Sequence, residues 1–166
     1  MHFCVHIKVH STLKRKTPIM NFDLKTLDLT AAASEKCDLL VVLIPEGFKP
    51  GADALSALAA LALKNGDLAL KAGKQLQLYQ VPAVAARRVV LVGGGDGSAR
   101  ALRQAVLAVG GAIKAPHTKR VVLCWAGAAS ADAVGAAVQA VAEAIDAATA
   151  GFEQGEQVLV EGLQAL

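Results

Sequence analysis

The stretch Leu39-Leu40-Val41-Val42-Leu43-Ile44 is an unbroken run of large aliphatic residues that ends at Pro45. A short continuous apolar run rich in β-branched residues predicts a strand buried on both faces, as in a parallel sheet. Arg88–Val92 and Lys119–Trp125 have the same character. Three such strands predict a sheet whose faces are covered by helices.

The segments between these strands contain helix signals. Ala52–Lys64 is rich in Ala and Leu and is followed by Asn65-Gly66, a typical helix end. Ser98 and Ser130 each precede a segment whose apolar residues recur at helical spacing, which predicts a capped helix in both places. The two apolar stripes are Leu102, Val106, Val109 and Ile113, and Val134, Val138, Val141 and Ile145.

Two further strands are predicted from weaker alternation. In Lys74–Val81, Leu76 and Leu78 alternate with Gln residues, which is typical of an edge strand with one wetter face. Asn21–Asp28 alternates less clearly and could be a first strand. We therefore predict an α/β fold with a mixed, mainly parallel sheet flanked by helices.

The net charge of +3 comes from the start of the chain. Residues 1–19 contain four of the 17 basic residues and none of the 14 acidic ones. Residues 20–166 therefore contain 13 basic and 14 acidic residues, and their net charge is −1. Binding to nucleic-acid phosphates requires a basic stripe or patch, so the charge does not support a nucleic-acid partner. Ala52–Lys64 is shorter than the ~20 residues of a membrane-spanning helix, so no membrane partner is expected.

Residues 1–19 also differ in composition, with no glycine and three of the four histidines. We interpret them as an extension before Met20, which could be a mis-called start, a tag or a leader. Alternation within them predicts a strand that would carry three His and one Cys on one face. His and Cys side chains are common metal ligands. On a strand, however, residues i and i+2 lie ~6.6 Å apart, so these side chains would have to converge to form a tetrahedral site. An added or disordered strand is therefore favoured over a metal site at His2, Cys4, His6 and His10.

One stretch resembles a known family. It comprises Asn65–Leu68, Lys71–Pro82 with its Lys-Ala-Gly-Lys start and Val-Pro end, and the strand Arg87–Gly95 that ends in three glycines. In this order the segments resemble the N-terminal domain of the leucyl (cytosol) aminopeptidase family, and Phe152-Glu153-Gln154 matches after the last helix. The resemblance covers residues 20–155. Residues 156–166 are then expected to begin a linker to a catalytic domain.

The resemblance implies a macro-domain-like fold and a non-catalytic role in assembly or regulation. The family's enzymes remove N-terminal amino acids from peptides in the cytoplasm, use two divalent metal ions (Mn or Zn), and form homo-hexamers. Their catalytic residues belong to a C-terminal domain with the signature Asn-Thr-Asp-Ala-Glu-Gly-Arg, which does not occur here. No catalytic, cofactor-binding or metal residue carries over, and this chain alone is predicted to be inactive.

The loop Gly93–Gly97 offers an alternative function, because a glycine loop between a strand and a helix can present N–H groups to a phosphate. A stand-alone macro-like module could bind a nucleotide or ADP-ribose there. However, Ser98 occupies the position of the third Gly or Ala of a dinucleotide fingerprint, and the acid expected ~20 residues later is absent. A tight strand-to-helix turn is the favoured explanation of these glycines.

Other single residues suggest no chemistry. His117 follows Pro116 and is expected to lie in a surface loop. Cys37 and Cys124 lack a neighbouring His that would lower the thiol pKa. Trp125 ends a predicted strand and is expected in the core or at an interface.

Overall fold

The computed structural model describes residues 3–10, 19–26, 28–113, 115, 117–127 and 130–149. Within these ranges the strands are β1 (Phe3–His10), β2 (Ile19–Thr26), β3 (Leu39–Ile44), β4 (Gln75–Tyr79), β5 (Arg88–Gly93) and β6 (Arg120–Trp125). The helices are α1 (Leu29–Ser34), α2 (Ala54–Asn65), α3 (Ala99–Ala108), α4 (Gly110–Ile113) and α5 (Ala131–Thr149).

The strands form one sheet in the order β2-β1-β6-β3-β5-β4. β3 is parallel to both of its neighbours, β5 and β6, and β4 is antiparallel to β5. Two of the three pairings among β3, β4, β5 and β6 are therefore parallel, which confirms a mixed, mostly parallel arrangement for this four-stranded part of the sheet. β1 and β2 extend the sheet beyond β6 by antiparallel pairing.

The central strand β3 contributes to two separate hydrophobic cores. All six of its residues are buried, as the unbroken apolar run predicted. Leu39, Val41 and Leu43 pack in a cluster with residues of α3, α4 and α5, whereas Leu40, Val42 and Ile44 pack with residues of α1 and α2. Burying each such side chain stabilises the fold by ~1.5–3 kcal/mol, so helices are required on both faces of the sheet.

Local signals set the helix ends. The Asp53 carboxylate accepts a hydrogen bond from the Ser56 N–H at 2.8 Å and caps the start of α2. The helix is closed by its C-cap residue Gly66, whose φ is 79°. Ser98 Oγ accepts from the Ala101 N–H at 3.2 Å, and Ser130 Oγ accepts from the Ala133 N–H at 3.2 Å. The predicted caps at Ser98 and Ser130 are thus confirmed. Among the described helices, none has the length and apolar character needed to cross a bilayer.

Two helical features differ from the expectations. Helix α1 was not predicted, because six residues make fewer than two turns and show no stripe. The stripe from Leu102 to Ile113 is buried as expected, but it spans two helices. The break falls at Val109, just before Gly110 and Gly111, which weaken the helix here because glycine costs ~1 kcal/mol in a helix relative to alanine.

Strand β1 lies between β6 and β2, with Ile7 aligned to Val121 and Phe22. The alternation in residues 3–10 therefore predicted the strand correctly. The side chains that suggested a metal site, His2, Cys4, His6 and His10, lie outside the part of the chain whose side chains the structure describes. The boundaries proposed after residues 19 and 155 stay a prediction.

The amino ends of β3 and β6 are joined by the carboxylate of Asp38. Its Oδ2 accepts hydrogen bonds from the N–H groups of Lys119 and Arg120, both at 3.0 Å, and the Asp38 N–H donates to the Arg120 carbonyl at 3.0 Å. This contact bridges more than 80 residues of sequence and aligns β6 with the central strand.

We expect Asp38→Ala to lower the free energy of unfolding by about 2 kcal/mol, because hydrogen bonds to a charged group are worth ~1.5–3 kcal/mol. Asp67→Ala, which removes an exposed carboxylate just after α2, is the matched control and should change stability by less than ~0.5 kcal/mol. Urea unfolding followed by the fluorescence of Trp125, the one tryptophan of the chain, measures both. Equal midpoints for the two variants would contradict the bridging role of Asp38.

Candidate functional site

The carboxyl ends of β3, β5 and β6 lie at the same edge of the sheet, because these three strands are parallel. Ligands of open α/β sheets bind in the loops at this edge, above all where successive connections leave toward opposite faces. Here α2 follows β3 on one face, while α3 and α5 follow β5 and β6 on the other. The loop Gly93–Gly97 lies at this edge, so it is the first candidate for a site.

The N–H groups of this loop are engaged by carbonyls of the protein itself. The Gly94 N–H donates to the Ile44 carbonyl at 2.7 Å, and the Gly95 N–H donates to the Leu70 carbonyl at 2.9 Å. The Gly97 N–H donates to the Gly94 carbonyl at 3.3 Å. A phosphate cradle presents such groups to its ligand, but here the first two hold the loop to β3 and to the segment before β4, and the third closes a turn within the loop.

Close packing explains why two of the glycines are needed. A Cβ atom on Gly93 would lie 2.3 Å from the Lys71 carbonyl oxygen and 2.5 Å from that of Ala69. A Cβ atom on Gly94 would lie 2.7 Å from the ring of Trp125. Both are impossible contacts, so neighbouring backbone and the buried indole leave no room for a side chain at either position.

A carboxylate already occupies the start of the following helix. Hydrogen bonds from the Ser98 hydroxyl and the Ser98 N–H hold the pKa of the Asp96 carboxyl below its ordinary value. Asp96 is therefore ionised at neutral pH, and its negative charge lies at the amino end of α3. Such a position favours an anion, and Asp96 provides one, which disfavours a bound phosphate by like-charge repulsion. This pair was not among the residues predicted for the site, although Asp two residues before Ser is a known turn signal.

The remaining candidate residues are separated in the structure. His117 is exposed in a turn before β6, as predicted, and Trp125 is a core residue with only 5% of its surface exposed. Burial, with help from the charges of Asp38 and Glu35, raises the pKa of the Cys37 thiol to about 12. A thiol of this kind is not a nucleophile at neutral pH.

Cys124 is completely buried in β6, so it is inaccessible to a substrate. Among the residues that the structure describes, no three His, Cys, Asp or Glu side chains come close enough together to hold a metal ion. The carboxyl edge of the sheet thus combines a tightly packed loop, a buried indole and isolated acids. This arrangement stabilises the fold.

Comparison with known proteins gives a consistent result. A profile described as "Cytosol aminopeptidase family, N-terminal domain" matches residues 40–154. The chain is 80% identical over 99 residues to a "Probable cytosol aminopeptidase" of Verminephrobacter eiseniae (strain EF01-2), covering 60% of this chain and 19% of that protein. A protein of the same description from Acidovorax ebreus (strain TPSY) is 62% identical over 97 residues, or 58% of this chain and 20% of that protein. The chain spans about a fifth of the length of these curated relatives.

We expect Gly93→Ala to lower the free energy of unfolding by ~3 kcal/mol or more, because the added methyl group meets backbone that cannot move independently. Gly135→Ala in α5 is the matched control, since a Cβ atom there would have nothing within 4 Å. It should raise the free energy of unfolding by ~0.5–1 kcal/mol. Equal effects in urea unfolding would show that the close approach at Gly93 does not constrain the fold.

Isothermal titration of the chain with ADP-ribose or ATP is expected to give no binding heat, and neither compound should raise the melting temperature. The reason is that the loop N–H groups are already bonded and Asp96 repels a phosphate. Saturable heat that disappears in a Gly97→Val variant would instead establish a nucleotide site in the loop.

Proposed function

Because the chain belongs to the cytosol aminopeptidase family, of which it carries the N-terminal domain, we propose that it is the non-catalytic scaffold of a metal-dependent aminopeptidase. In this proposal the parent protein removes N-terminal amino acids from peptides. The observation that carries the proposal is the match of this domain to about a fifth of the length of relatives named as aminopeptidases. The packed carboxyl edge of the sheet supports it.

Metal chemistry is assigned in this proposal to the part of the parent protein that this chain does not include. Two-metal hydrolysis requires several carboxylates that converge on ions ~3.5–4 Å apart. Asp38 and Asp53 are instead used in backbone hydrogen bonds, at the start of β3 and of α2 respectively. We therefore propose two divalent ions, Mn or Zn, in the C-terminal catalytic domain and none in this one.

We further propose that the parent protein is cytoplasmic and assembles as a homo-hexamer. The names of the relatives, which contain the word "cytosol", support the location, and family membership supports the assembly. The domain would then contact its own catalytic domain and other subunits. A macro-domain-like fold is part of the same proposal, supported by the mixed sheet with helices on both faces.

The purified 166-residue chain is expected to release no product from leucine p-nitroanilide, with or without Mn²⁺ or Zn²⁺. The full-length Verminephrobacter relative, assayed in parallel, should cleave this substrate and lose activity when a chelator removes its metal. The parallel assay shows that the conditions support catalysis. Metal-dependent turnover by the chain itself would overturn the scaffold proposal, whereas an inactive full-length relative would overturn the proposed activity of the parent.

A further inference from the structure

Two cysteine positions lie directly opposite each other in the sheet. Strands β1 and β6 are antiparallel, and their register aligns Cys4 with Cys124. Directly opposed residues of an antiparallel pair have Cα atoms ~4.5–5.5 Å apart. A disulfide bond requires Cα atoms ~4.4–6.8 Å apart, so the backbone register by itself brings these two positions within the range of such a bond.

The states of the other two cysteines agree with this register. Cys124 is disulfide-bonded, whereas Cys37 has a free, buried thiol. Cys124 is aligned with Val42 of β3, and Cys37 comes two residues before Leu39 at the other end of that strand. Leu39 and Val42 alone are ~10 Å apart along the strand, which exceeds the reach of a disulfide. Since the chain has three cysteines, Cys4 is the residue placed to bond with Cys124.

A bond at this place would fasten two strands to the domain. β6 is firmly held, because Val121–Trp125 are all buried and pair with the central strand β3. β2 pairs with β1 and with no other strand among those described, so it joins the sheet through β1. A covalent link from β1 to β6 therefore secures β2 as well. It also closes a loop of ~120 residues, and long loops gain the most stability from closure.

We propose that Cys4 and Cys124 form a reversible disulfide that fastens β1 and β2 to the rest of the sheet when the protein is oxidised. The reversibility rests on the cytoplasmic location proposed above, because disulfides of that compartment are usually transient and redox-sensing. Under reducing conditions, β1 is held to β6 by strand pairing without a covalent link.

The oxidation proceeds by thiol–disulfide exchange with a low-molecular-weight disulfide such as glutathione disulfide. The Cys4 thiolate attacks one sulfur of glutathione disulfide, and one glutathione leaves. The Cys124 thiolate then attacks the Cys4 sulfur of this mixed disulfide, and the second glutathione leaves. Two electrons pass from the cysteine pair to glutathione disulfide, and the two protons end on the glutathione thiols. Cys124 is completely buried, but its step is intramolecular and requires contact with Cys4 alone.

Peptide mapping of the full chain after equilibration with glutathione disulfide tests the proposal. Trypsin should release the peptide 1–8 linked to the peptide 121–166, because no Lys or Arg follows Arg120. The peptide that begins at Cys37 should remain unlinked and carry a free thiol. Oxidation should raise the melting temperature by about 5 °C or more. A buffer with a large excess of reduced glutathione should abolish both the link and this rise.

Cys4→Ser should show neither the link nor the rise in melting temperature on oxidation. Cys37→Ser is the matched control and should keep both, since the comparison is between the oxidised and reduced forms of each variant. A wild-type chain that keeps three free thiols, or a bond that involves Cys37, would overturn the pairing. An unchanged melting temperature would overturn the fastening role, and a link that survives excess reduced glutathione would overturn its reversibility. The leucine p-nitroanilide assay is independent of these results, so the two proposals can fail separately.

Discussion

The burial of both faces of β3 is the constraint on which the rest of the domain depends. Its alternate side chains face two different cores, so the strand cannot be stable until helices cover both sides of the sheet. Small residues allow those helices to approach closely: Ala59 and Ala62 of α2 and Ala137 and Ala140 of α5 are buried. The high alanine content of the chain thus has a direct structural use. Parallel pairing of β3 on both sides requires crossover connections, and these place the helices on the two faces.

The same layered packing brings other segments of the chain against the glycine turn at the carboxyl edge of the sheet. In many α/β domains this edge is open and binds a ligand. Here the backbone of residues 69–72 lies against the end of β5, and the indole of Trp125 lies beneath the glycine turn. The glycines permit this contact, which a side chain would prevent. The edge therefore contributes to stability.

The two edges of the sheet differ in composition. β2 contains charged residues of both signs, while β4 is uncharged and ends in an exposed tyrosine. Charges on an edge strand hinder pairing with other chains, so β2 is the better protected of the two edges.

The sequence by itself determined the strands β3, β5 and β6, the edge character of β4, the helix caps at Ser98 and Ser130, and the family. These depend on local periodicity, on capping residues and on the order of short segments, all of which are readable along the chain. Helix α1 was too short to show a period, and the division between α3 and α4 changed no buried position. Only the tertiary structure showed that Asp38 joins β3 to β6, that Gly93 meets the carbonyl oxygens of Ala69 and Lys71, and that Asp96 occupies the start of α3. These contacts connect residues that are distant in sequence or depend on exact orientation, and no pattern of residue types along a single chain records which strands become neighbours.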